Sequence, residues 1–242
     1  MVAVIDKPQA ATRGLDAPRQ LPLENGDHLT RAEFERRYDA MPDLRKAELI
    51  EGIVQMPSPI RIEHQVADGA ILFWLGAYVA STPCLQFGGD GSVRLDANNE
   101  VQPDALLRIE TECGGQSRIA ADGFIEGAPE LVVEIAGSSA SYDLHTKMHV
   151  YRRAGVREYI VWRVYDRALD WFVLEEGRFV AQLPDADGVL HSRCFPGLWL
   201  PVAAILAGKL AEVLIAVQQG VQSEAHAAFV AQLQGSANPE KV

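Results

Sequence analysis

The sequence predicts a mixed α/β (α+β) fold, with a central sheet of mixed strand direction flanked by helices. Three observations predict it. ELVVEIAG (130–137) is an unbroken apolar run that reads as a buried strand. SYDLHTKMHVYRRAG (141–155) reads as a helix closed by Gly155 as its C-cap. VREYIVWRVYD (156–166) reads as a second strand, so strand, helix and strand form one crossover with the two strands parallel.

The other elements follow in order. Residues 1–28, rich in Pro, Asp, Gly and Gln, lack a sustained period and read as a loose lead-in. LTRAEFERRYDAM (29–41) reads as a short helix, with Thr30 as N-cap, Glu33 completing a capping box and Pro42 ending it. KAELIEGIVQMPSP (46–59) alternates around Glu51-Gly52 and reads as two strands and a turn. In IRIEHQVADGAILFWLGAYVAS, Ile62, Val66, Ala70, Trp74 and Tyr78 recur every fourth residue, with Ile71 and Leu75 beside them, which predicts a long helix. Short strands are expected in LQFGGDGSVRLD (85–96), around the turn at 88–91, and in NNEVQPDALLRIE (98–110). Residues 111–129 hold four glycines and read as a loop. ALDWFVLEEGRFVAQL (168–183) reads as a hairpin turning at Glu176-Gly177. Residues 201–242 read as a C-terminal helical extension that packs on the main domain, 29–200, or on a partner chain.

Composition narrows the function. The 242-residue chain has a net charge of -11, which argues against gripping nucleic acid through its whole surface, though not against a local basic patch. No apolar run is long enough to cross a bilayer, and the N-terminus lacks a basic region followed by an apolar one. A cytoplasmic protein is expected. Cys84, Cys113 and Cys194 are odd in number and far apart, so neither a disulfide nor a zinc site is expected.

Glu134 is the residue that does not belong in its surroundings. Alternation puts it on one face with Val132 and Ala136, among apolar neighbours. A buried carboxylate needs a cation, an arginine or a metal. Asp104, in VQPDALL (101–107), also opens an apolar run. Two carboxylates on neighbouring strands suit a hard divalent cation such as Mg²⁺, with Mn²⁺ as the alternative. Lys147 lies four residues after Asp143 and four before Tyr151, on one side of the helix. It is either half of a surface pair with Asp143 or an ammonium held over the carboxylates. Arg152, Arg153 and Arg157 either complement the helix dipole or contact phosphates. His145 and His149 are spaced for a metal but lack the H-E-x-x-H glutamate, so the spacing is read as chance.

PDALL, LVVEIAGSS, SYDLHTKMHVYRRAGVREYIVW and FPGLWL resemble the Uma-two family of restriction-endonuclease-like proteins, in the PD-(D/E)XK nuclease superfamily. The resemblance spans about residues 29–200. It rests on Glu48-Leu49-Ile50-Glu51-Gly52, His64, Pro103-Asp104, Glu134, then Asp143, Lys147, Tyr151, Gly155-Val156 and Glu158-Tyr159. It implies a restriction endonuclease-like core and Mg²⁺-dependent hydrolysis of DNA phosphodiester bonds. Asp104 and Glu134 would hold the metal and Lys147 would assist the attacking water, with His64, Glu51 and Tyr151 as accessory groups. The chain departs from the superfamily at Ala136, where a lysine usually follows the acid by two residues, and from the family at Gly137, where serine is common. The alternative is an inactive nuclease-fold protein that forms a homodimer through its C-terminal helices.

Overall fold

The computed structural model describes residues 21–57 and 60–237, so the lead-in expected over residues 1–20 lies outside the described residues. The first helix, α1 (Arg31–Asp39), starts at Thr30, whose Oγ1 accepts from the Glu33 N–H. Only that half of the capping box forms, because the Glu33 carboxylate binds Arg36 and Arg37 instead. β1 (Glu48–Ile50) and β2 (Ile53–Gln55) form a hairpin around Glu51 and Gly52, both at positive φ. Residues of the lead-in end against it: Leu23 is buried and His28 bridges to Ile53.

α2 (Ile62–Val79) buries Ala67, Ala70, Ile71, Trp74, Leu75 and Tyr78. Its first turns do not continue the predicted stripe, since Ile62 and Val66 are 65% and 61% exposed. There the helix runs beyond the cluster that covers its later turns.

The next strands are β3 (Leu85–Gly88), β4 (Val93–Asp96), β5 (Asn99–Val101) and β6 (Ala105–Ile109). Of these only β4 and β5 pair as neighbours in sequence. β4 and β5 join a sheet ordered β2-β1-β5-β4-β8-β7, whereas β3 and β6 pair with each other in the central sheet. Between β3 and β6 the chain therefore changes sheets twice, at 89–92 and at 102–104. Residues 111–129 are not all loop. They contain a 3₁₀ turn (Thr111–Cys113), β7 (Arg118–Ile119) and β8 (Ile125–Glu126), which extend the first sheet.

β9 (Leu131–Ala136) leads to the crossover helix, α3 (Ala140–Tyr142), a π-helical turn (Asp143–Lys147) and α4 (Met148–Ala154). Gly155 closes it at φ 89°. β10 (Glu158–Arg163) then lies parallel to β9, as expected. β11 (Ala168–Glu175) and β12 (Arg178–Ala181) form the expected hairpin, turning at Glu176 and Gly177, both at positive φ. The central sheet is ordered β12-β11-β10-β9-β6-β3.

β13 (Val189–His191) and β14 (Trp199–Pro201) form a small hairpin. The helices α5 (Val202–Leu206), α6 (Leu210–Gly220) and α7 (Glu224–Ala237) follow. They pack on the chain's own core: Ile205, Val213, Val217, Phe229 and Leu233 join Trp74, Leu131, Val133 and Trp171 in one cluster. On the other face of the central sheet, Val132, Ala136, Tyr159 and Val161 meet Val150 and Tyr151 of α4. No helix of the described residues is long and apolar enough to cross a membrane.

Cys84 and Cys113 form a disulfide, contrary to the sequence expectation. They are 29 residues apart, but pairing of Leu85 with Ile109 brings the residues flanking those strands together.

Candidate functional site

β6 runs antiparallel to β9 with Ala105 opposite Val133, so the next position along places Asp104 opposite Glu134. Asp104 sits where the chain leaves one sheet for the other. Gly89 makes room for it: a Cβ there would lie 2.4 Å from the Asp104 carbonyl oxygen. The Asp104 carboxylate accepts from the Ile135 N–H at 2.8 Å and from Lys46 Nζ at 2.9 Å, and His64 Nε2 lies 3.5 Å away.

Glu134 points to the side of the sheet covered by α4. Its Oε1 accepts from Lys147 Nζ at 2.8 Å and from the Tyr151 hydroxyl at 2.6 Å. Lys147 Nζ also lies 2.9 Å from Glu48 Oε1, and that same oxygen accepts from the Gln102 N–H at 2.7 Å. Asp143 and Lys147 are both buried, so the surface-pair reading of this spacing is excluded. The π-helical turn between them inserts an extra residue into the helix and sets the direction in which Lys147 points.

The environment drives the two carboxylates apart. Burial would raise Asp104, but His64, Lys46 and the Ile135 N–H outweigh it and hold the group well below the usual range. For Glu134 burial wins. Lys147 opposes it, Asp104, Glu48 and Asp143 add to it, and the group is pushed up to about 8. Lys46 and Lys147 are raised despite burial, because the carboxylates around them favour the charged form. His64 is raised for the same reason, with Asp104 outweighing burial. Asp68, on α2 four residues beyond His64, is pushed up to about 6 by burial and then by Asp104 and Asp90. Its Oδ1 is buried with no hydrogen-bond partner among the described residues.

Sequence reasoning missed Lys46, Glu48 and Asp68. Glu48 stood in the quoted ELIEG stretch, and its pattern was the only available signal. Lys46 and Asp68 reach the site through the fold and carry no local motif. Glu51 and the arginines are not part of the cluster. Glu51 is exposed and pairs with Arg153 at 3.1 Å. Arg152 donates to the Gly177 carbonyl, and Arg157 donates to Gln116. His145 and His149 are exposed; His145 contacts the Ser141 carbonyl and His149 contacts Arg152.

The cluster therefore gathers carboxyl oxygen donors. Asp104 is ionised, Asp68 has an unsatisfied oxygen, and both hydrogen bonds to Glu134 fall on Oε1. Oxygen donors of this kind fit a hard divalent cation. A different donor set lies elsewhere: Cys84, Glu110 and Cys113 each offer a ligand atom, all within 4.8 Å of one another.

Comparison with known proteins gives the following. The Uma2 family model, described as "Putative restriction endonuclease", matches residues 31–203. A crystal structure of a "putative nuclease belonging to DUF820" from Anabaena variabilis ATCC 29413 superposes with a TM-score of 0.56. The two chains are 11% identical, with 72% of this chain and 97% of that one covered. No curated protein matches.

Proposed function

The chain belongs to the Uma2 family, and on that footing we propose that it is a divalent-metal-dependent endonuclease hydrolysing phosphodiester bonds of DNA. The observation that carries this reading is the convergence of Asp104, Glu134 and Lys147 in one buried cluster. Asp104 and Glu134 would hold Mg²⁺ or Mn²⁺, with Asp68 reaching it directly or through water. A bound metal of this kind activates water and offsets charge on a phosphate.

The chain's own groups have distinct tasks in this reading. Lys46, His64 and the Ile135 N–H keep Asp104 ionised. Tyr151 and Lys147 both hold Oε1 of Glu134, which leaves Oε2 to serve as the ligand in this reading. Glu48 and Glu134 grip the Lys147 ammonium between them, where it orients the attacking water or neutralises the phosphate. The family's helix lysine thereby serves in place of the one absent at Ala136.

The test is cleavage of duplex DNA with Mg²⁺ or Mn²⁺. Asp104→Asn, Glu134→Gln and Lys147→Met are each expected to lower the rate by at least about 100-fold, the scale of losing a charge-stabilising group. Unchanged cleavage in all three would remove the assignment.

One observation favours a second reading. Lys46 and Lys147 already lie within 2.9 Å of Asp104, Glu134 and Glu48, as in a purely structural ion cluster. A non-catalytic nuclease-fold protein that dimerises through its C-terminal helices would bind no Mg²⁺ and cleave nothing. It would also run as a dimer in solution.

A further inference from the structure

We propose that Cys84, Glu110 and Cys113 form a second metal site, selective for a thiophilic divalent cation of the zinc type. The site replaces the Cys84–Cys113 disulfide when that pair is reduced. It is separate from the carboxylate cluster, because Glu110 and Asp104 flank opposite ends of β6. Six residues of extended chain span about 20 Å.

The backbone brings the three residues together without help from the sulfurs. The Glu110 N–H donates to the Cys84 carbonyl at 2.9 Å. The Glu110 carbonyl accepts from the Cys113 N–H at 2.9 Å and from the Gly115 N–H at 3.1 Å. The turn is tight enough that a Cβ on Gly115 would lie 1.9 Å from the Ile109 carbonyl oxygen, so only glycine fits there. The two Cα atoms are 6.1 Å apart and the three donor atoms lie within 4.8 Å. Tetrahedral zinc, with bonds of about 2.3 Å to sulfur and about 2.0 Å to oxygen, places its donors roughly 3.5–3.8 Å apart, so the two sulfurs, joined in the disulfide, separate on reduction to admit it.

The chemistry then separates the two states. A neutral disulfide gains nothing from a carboxylate beside it. Two thiolates and a carboxylate repel one another unless a cation sits between them. Sulfur donors select a softer metal than the oxygen cluster does. Glu110 is also oriented as a ligand would be. Gln86 Nε2 donates to its Oε1 at 3.1 Å, and Gln86 Oε1 in turn accepts from Arg108 at 2.6 Å. Cys84 and Glu110 are half-buried, and a cavity of about 360 Å³ whose lining includes Glu110, Gln86, Thr111, Arg108 and Arg118 opens on the carboxylate side of the group.

Conversion between the states balances with a dithiol reductant. The reductant gives two electrons and two protons to the Cys84–Cys113 bond and becomes a disulfide itself. The two thiols formed then lose their protons to solvent as the cation binds. Either link ties the edge strand β3 to the 3₁₀ turn on which α7 packs.

Cobalt titration of metal-stripped full-length protein tests the proposal. Reduced protein is expected to develop a thiolate-to-cobalt charge-transfer absorption that reaches the intensity of one thiolate-bound Co²⁺ per chain, whatever further Co²⁺ the carboxylate cluster takes up. The oxidised protein should show none. Cys84→Ser and Cys113→Ser should lose the absorption, Glu110→Gln should weaken binding at least about tenfold, and Cys194→Ser should change nothing. Asp104→Asn should keep the absorption, so failure of this site and failure of the nuclease reading are seen separately. Absence of the absorption in reduced wild type with an unchanged circular dichroism spectrum would overturn the proposal, as would its presence in the oxidised protein. The oxidised and reduced comparison uses one chain, so it holds even if a serine variant fails to fold.

Discussion

Glu130, Glu134 and Glu158 are all buried on or beside β9 and β10, yet they are satisfied by different groups. Glu130 accepts from the N–H groups of Ile109 and Gln116. Glu158 accepts from the Arg193 and Cys194 N–H groups and from the Ser192 hydroxyl. Those partners are fixed and neutral, so these two glutamates hold loops in place. Glu134 accepts only from the titratable side chains of Lys147 and Tyr151. Glu158→Ala would leave three donors unpaired in the interior and is expected to cost about 3 kcal/mol, read as a lower midpoint in urea unfolding. Glu134 carries the pH prediction. Its folded-state value is raised to about 8, so it holds its proton at pH 7 and must lose it to ligate a cation. Cation affinity is therefore expected to rise as pH rises towards about 8 and to level off above it. Calorimetry in buffers of different ionisation enthalpy should show proton release at pH 7; pH-independent affinity would contradict this. That Glu134 needs a partner was legible in the sequence, because it lies in the middle of the apolar run LVVEIA. Which lysine serves Asp104 was not, since Lys46 arrives from 58 residues away.

At the scale of elements, the crossover β9–helix–β10 and the β11–β12 hairpin follow from local patterns of apolar residues and turn glycines. The changes of sheet at 89–92 and 102–104 do not. Each resembles a hairpin or a continuous strand locally, and only non-local pairing decides it. The Cys84–Cys113 contact was hidden for the same reason. The π-helical turn was also invisible, because Asp143, Lys147 and Tyr151 keep a four-residue spacing that any α-helix would share. Deleting Thr146 shortens this π-helical turn by one residue. The helix should revert to α geometry, which changes the direction and rise of Lys147 relative to Asp143. DNA cleavage is expected to fall on the order of 100-fold, as for misplacement of a positioned group. Activity equal to wild type would show that the turn does not aim the lysine.

At the scale of the molecule, the C-terminal helices complete the core. Phe229 and Leu233 of α7 are buried in the cluster that includes Trp74 and Trp171. Phe229→Ala is expected to cost about 3 kcal/mol, which thermal unfolding would read directly. A neutral result would mean that α7 is detachable. The density of apolar residues announced these helices, but not their seat, since packing on the chain itself and on a partner read alike in sequence. The carboxylate cluster is walled by the opposite face of the same sheet, and burial there is what raises Glu134, whereas charged neighbours set the direction for Asp104, Lys46 and Lys147. The most direct measurement is Mn²⁺ binding followed by electron paramagnetic resonance at pH 8. Wild type is expected to bind Mn²⁺ at one site that Asp104→Asn and Glu134→Gln each abolish. Binding that is absent from folded wild type, or unchanged in both variants, would contradict the account.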